Sequence, residues 1–107
     1  MEKVLGQFYF KQTTNGNLIG EFTNNSTIKI TAESATLIKR TSGFVGTYSS
    51  TWEHENEACI TVLTIDLIKK TENLYSLRWV GDGYKYWGEG FIVDNMLIGH
   101  YRDFEEI

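Results

Sequence analysis

The 107-residue chain contains no proline and a single cysteine, Cys59. One cysteine excludes an intrachain disulfide and suits a reducing compartment. No apolar run approaches the roughly 20 residues of a membrane-spanning helix. Residues Met1 to Phe10 hold no apolar stretch of the length a secretory leader needs, so a cytoplasmic protein is the expectation. Basic excess is missing as well: 10 Lys and Arg face 14 Asp and Glu, for a net charge of −4. That balance argues against nucleic acid and against anionic membrane surfaces, both of which call for a basic field. The nucleophile elbow, the phosphate loop and the dinucleotide fingerprint are all absent. Without proline one helix stopper is gone, yet helical periodicity is still hard to find.

What the chain does have is aromatic side chains and glycine. Three Trp, six Tyr and six Phe make up 14% of the residues, and ten glycines punctuate them. Short runs rich in Val, Ile, Thr, Tyr and Phe alternate with clusters of Asn, Gly, Asp and Glu, the signature of strands and turns. Eight segments emerge: Val4 to Gln12, Leu18 to Thr23, Thr27 to Lys39, Phe44 to Trp52, Cys59 to Lys69, Leu74 to Val80, Tyr84 to Val93 and Leu97 to Phe104. Asn15-Gly16 predicts a type I′ hairpin turn. The third segment reads as one bent strand or two, with a helical turn conceivable at its weak point, Ala32-Glu33-Ser34-Ala35. Nothing resembles a linker, so residues 1–107 form one all-β domain: a small antiparallel up-and-down barrel of about eight strands, or alternatively a β-sandwich.

A motif of two apolar residues, Gly, any residue and an aromatic occurs three times: Leu18-Ile19-Gly20-Glu21-Phe22, Phe44-Val45-Gly46-Thr47-Tyr48 and Leu97-Ile98-Gly99-His100-Tyr101. Glycine weakens an ordinary strand, so its repeated placement points to the sharply coiled strands of a barrel. Closure also removes the exposed edges an open sheet must protect.

Strand alternation sorts the faces. It places Phe44, Gly46, Tyr48, Ser50 and Trp52 inside, with Tyr75, Leu77, Trp79, Tyr86, Gly88, Gly90, Leu97, Gly99 and Tyr101. This interior is aromatic and hydroxyl-bearing. Tyr48, Ser50, Trp52, Trp79, Tyr86 and Tyr101 are the candidate lining of a pocket for a small apolar or aromatic molecule. The competing reading is an interior filled by its own side chains, for which an eight-strand barrel is just wide enough. The fifth segment is apolar on both faces, through Ile60 and Val62 on one and Leu63, Ile65 and Leu67 on the other. Self-association through it, helped by Ile19, Val45 and Ile98, is therefore expected. A filled barrel serving only as an interaction module is the alternative.

Two polar groupings bear on chemistry. Glu53, His54, Glu55 and Glu57 gather in a turn near Cys59, but neighbours in a hairpin diverge, so neither a metal site nor another cofactor is expected. Arg78, Glu89, His100, Arg102 and Asp103 fall on adjacent strands and are of the types used in acid–base work. Alternation puts most of them outside, where cross-strand pairing is the ordinary role. A small-barrel cyclase or decarboxylase using Arg78, Glu89 or His100 stays as a third possibility, and no catalytic residue is assigned.

Four motifs give the chain a resemblance to the avidin and streptavidin family, a calycin-type, lipocalin-like barrel with an aromatic biotin site. Gly6-Gln7-Phe8-Tyr9 is similar to that family's opening Gly-x-Trp-Tyr. Gly46-Thr47-Tyr48-Ser49-Ser50 resembles the strand that supplies a Tyr and a Ser to biotin, a motif that also aligns with Leu18-Ile19-Gly20-Glu21-Phe22. Tyr75-Ser76-Leu77-Arg78-Trp79 resembles a strand bearing a ligand-stacking Trp, and Leu97-Ile98-Gly99-His100 the last strand. The family's Asn after the first motif is Phe10 here, and its Asp after the last is Tyr101. The resemblance thus implies a barrel with a pocket, but without the polar groups that hold biotin.

Overall fold

The structure is a computed structural model and describes residues 4–26 and 29–103. Eight strands follow one another: β1 (Leu5–Gln12), β2 (Leu18–Asn24), β3 (Thr31–Ser42), β4 (Val45–His54), β5 (Glu57–Leu67), β6 (Tyr75–Gly81), β7 (Tyr84–Val93) and β8 (Met96–Asp103). Each pairs antiparallel with the next, and β8 pairs back onto β1, closing an up-and-down barrel rather than a sandwich. No strand is left with a free edge, which is how closure disposes of unpaired backbone groups.

Most of the turn chemistry follows from short polar loops. Glu55-Asn56 and Asp94-Asn95 join paired residues through two-residue loops in which both φ angles are positive, the type I′ geometry. The turn after β1 differs from the type I′ expectation for Asn15-Gly16. Only Gly16 has a positive φ there, at 84°. The Gly16 amide donates to the Thr13 carbonyl at 3.0 Å and the Thr13 amide to the Asn17 carbonyl at 2.8 Å. That is a type I turn followed by a left-handed glycine bulge, selected because Asn17 is tied down. Its amide donates to Thr13 Oγ1, and its Oδ1 accepts from the Leu37 amide of β3.

The third segment is one continuous strand. Ala32 to Ala35 belong to β3, not to a helical turn, because their backbones complete the ladders with β2 and β4. The bend falls later, at bulges between Leu37 and Lys39 and between Arg40 and Ser42. The Thr27 start expected for this segment, and the Phe104 end of the last one, lie outside the described residues.

The repeated Gly-x-aromatic motif has a steric cause. A Cβ on Gly99 would lie 2.0 Å from the Glu89 carbonyl oxygen, and one on Gly20 1.9 Å from that of Tyr9. Neighbouring backbones approach too closely at these bends for any side chain. Inward-facing residues divide the barrel lengthwise. At the end carrying the β1–β2, β3–β4 and β7–β8 turns, Phe10, Leu18, Phe44, Tyr48, Leu63, Ile65, Leu77 and Leu97 pack into a dry core. At the other end the interior opens.

Candidate functional site

The opening is a cavity of about 570 Å³ at the end where β2 passes to β3, β4 turns into β5 and β6 turns into β7. Phe8, Trp79 and Glu33 are its deepest lining residues, 4–5% exposed, while Phe22, Trp52, Tyr84 and Tyr86 are half-buried above them. Asn24, Lys29, Glu53, His54 and Glu55 stand at the mouth.

Four rings from four strands form a closed circuit. Phe22 meets Trp52 at 5.8 Å between ring centroids, Trp52 meets Tyr86 at 6.2 Å, Tyr86 meets Tyr101 at 5.8 Å and Tyr101 meets Phe22 at 6.0 Å. Interplanar angles of 63–88° make each contact edge-to-face, the arrangement favoured by the ring quadrupoles. Below the circuit Trp79 touches both Tyr101 and Phe8. The rings come together because Phe22, Trp52, Tyr86 and Tyr101 are inward positions near the same ends of β2, β4, β7 and β8.

Glu33 is the polar residue of the floor. Strand β3 presents Thr31, Glu33, Ala35 and Leu37 inward, so the carboxyl enters the barrel between Phe22's strand and Trp52's. The Ser50 hydroxyl and the Trp79 indole N–H both donate to Oε2, the latter at 2.9 Å. Burial pushes this carboxyl up from its ordinary 4.5 to about 7, against the two hydrogen bonds, which favour the ionised form. A carboxyl titrating near neutrality can take up or release a proton, and when ionised it can pair with a cation.

The phenols around it stay protonated at neutral pH. Burial pushes Tyr101 up to about 12 even though the Asn24 amide donates to its oxygen at 2.9 Å. Burial likewise raises Tyr86. At the mouth Tyr84 is raised chiefly by its hydrogen bond with Cys59, whose sulfur lies 3.4 Å from the phenol oxygen. These hydroxyls are therefore neutral hydrogen-bonding groups.

Of the six candidate lining residues, Trp52, Trp79, Tyr86 and Tyr101 line the cavity. Ser50 is fully buried behind it and donates to Glu33. Tyr48 lies in the dry half, its hydroxyl donating to the Phe44 carbonyl at 2.8 Å. Sequence reasoning passed over Glu33, Phe22 and Phe8. The signal for Glu33 was its spacing of two from Ala35 and four from Leu37, obscured because the other face of β3, Ala32, Ser34, Thr36 and Ile38, is no more polar.

Arg78, Glu89, His100 and Arg102 occupy outward positions of β6, β7 and β8. His100 lies 4.0 Å from Glu89, and Arg102 stacks over Trp87 at 5.0 Å. Asp103 instead closes the barrel seam, accepting from the Val4 amide at 3.1 Å. Among the described residues no three His, Cys, Asp or Glu side chains converge as a metal site would require. No family model, curated protein or solved structure matches the chain.

Proposed function

We propose that the protein binds a small organic molecule of largely apolar or aromatic surface in the open half of its barrel. The carrying observation is the aromatic cavity of about 570 Å³, within the roughly 300–1,000 Å³ range of small-molecule sites. Eight strands have room for a filled interior, yet here only one half is packed. The likeness to avidins supports the same reading, since its four motifs fall on β1, β4, β6 and β8 of a barrel of that architecture. Biotin is not the ligand proposed. Phe10, where the family has Asn, is buried in the dry core, and Tyr101, in place of Asp, offers a neutral phenol. Native mass spectrometry of protein purified gently from cells tests the proposal. A retained small mass, released by denaturation, is the expected result. Bare protein whose tryptophan fluorescence is untouched by a panel of aromatic probes would overturn it.

A second reading, self-association, draws on the outer face of β5 and β6. Ile60, Val62 and Val80 are exposed there at 63%, 48% and 40%, and Val62 pairs directly with Val80. Ile19 and Ile98, expected as helpers, sit on β2 and β8, each three strands from β5 round the barrel, so one flat interface centred on β5 does not take in both. Val45, on β4, starts its strand four residues along from Ser49, the partner of Val62, and so lies beyond the patch as well.

A further inference from the structure

We infer that the ligand is an organic amine, its ammonium group seated on the Glu33 carboxylate and enclosed by Phe22, Trp52, Tyr86 and Tyr101. This rests on the reading of the cavity as a small-molecule site and names the chemistry it selects. Among the described residues, both hydrogen bonds to Glu33 come from neutral donors and fall on the same oxygen, Oε2. Oε1 is thereby left for a ligand donor. An ionised carboxylate buried as deeply as Glu33 carries a desolvation cost that a ligand cation relieves and that a neutral or anionic ligand does not.

The walls favour the same charge. Trp, Tyr and Phe present negative π-faces, and several rings set at large angles around one point form the enclosure that holds ammonium groups elsewhere in protein chemistry. The circuit of Phe22, Trp52, Tyr86 and Tyr101 has that form, with centroid spacings of 5.8–6.2 Å. The rest of the cavity, reaching outward to Asn24 and His54, takes the apolar body. At the mouth Glu53 and Glu55 set two carboxylates against Lys29, on a chain of net charge −4, so an approaching cation is drawn in.

Three probes sharing one ring body separate the possibilities: 2-naphthylmethylamine, 2-naphthylmethanol and 2-naphthoate, titrated calorimetrically into the full chain at pH 8. The ammonium is expected to bind wild type on the order of 10- to 100-fold more tightly than the alcohol, as a charge-assisted hydrogen bond would give. The carboxylate is expected to bind more weakly than either. Glu33→Gln should erase the preference for the amine over the alcohol while the alcohol still binds measurably, which also shows that the variant's cavity is intact. Trp52→Ala should weaken both. Equal or tighter binding of the alcohol or carboxylate by wild type overturns the amine assignment and leaves the small-molecule site standing. An amine preference that survives Glu33→Gln overturns the role of Glu33. Binding of none of the three overturns the site and the amine together.

Discussion

Replacing Glu33 with glutamine should stabilise the protein, and only above the pH at which a free glutamate ionises. The folded-state value of about 7 lies above the ordinary 4.5. Well below pH 4.5, folded and unfolded chains both hold the proton, and the side chain costs nothing electrostatically. Between 4.5 and 7 the unfolded chain releases the proton more readily, so stability falls as pH rises, and above 7 the full cost is in place. At about 1.4 kcal/mol per pH unit, the interval from 4.5 to about 7 amounts to about 3 kcal/mol. Glutamine copies the protonated form: its carbonyl oxygen accepts from Ser50 and Trp79 as Oε2 does, and it cannot ionise. Urea unfolding of both proteins, followed by tryptophan fluorescence at pH 4.5, 6 and 8, gives the difference directly. The two should lie within about 1 kcal/mol of each other at pH 4.5 and diverge to about 3 kcal/mol at pH 8, glutamine the more stable. A difference that stays flat across this range, or that grows in favour of wild type, refutes the burial argument and with it the view of Glu33 as a carboxyl awaiting a partner.

Other perturbations read other parts of the molecule. Gly99→Ala puts a Cβ 2.0 Å from the Glu89 carbonyl oxygen, so the β7–β8 ladder must part; a loss of roughly 3 kcal/mol or more in chemical denaturation, or failure to fold, is expected. Phe10→Asn installs the family-like asparagine in the dry half, where it removes a buried ring and strands an amide. It should cost about 3–5 kcal/mol and confer no biotin binding, measured by denaturation and by calorimetry. Val62→Lys places a charge in the exposed patch opposite Val80; light scattering should show a shift toward monomer while the melting temperature changes little.

Much of the fold is legible in the sequence, for a definite reason. A closed up-and-down barrel has one inside and one outside, and every strand repeats the same alternation, so each segment carries its own evidence. Phe44, Tyr48, Leu77 and Leu97 lie inside as the pattern of two requires, and the Gly-x-aromatic repeats mark where coiling brings backbones together. The turns were harder. Asn-Gly favours type I′ locally, but Asn17 is held through its backbone N–H by Thr13 Oγ1 and through its side-chain oxygen by the Leu37 amide, and Leu37 is 20 residues away in the chain. A contact of that range overrides a dipeptide preference without leaving a trace in the dipeptide.

The site was legible in its aromatic part and hidden in its polar part, and the difference is physical. Aromatic residues are informative because a half-exposed ring on a period-two face must be covered by something. A lone glutamate is uninformative, since almost every glutamate is solvated, and β3 offers little contrast between Glu33's face and the face of Ser34 and Thr36. Knowledge of closure supplies the missing contrast: once β3 is paired on both sides, Thr31, Glu33 and Ala35 have no choice of face. The same closure explains how the protein tolerates a carboxyl among rings. Ser50 and Trp79 hold Oε2 from two further strands, so the acid is fixed by three elements of the barrel, and moving it to solvent would require opening the sheet. Only two responses remain to an ionised Glu33 at neutral pH, to take up a proton or to accept a cation from the open end, and the pH series and the three naphthyl probes each measure one of them.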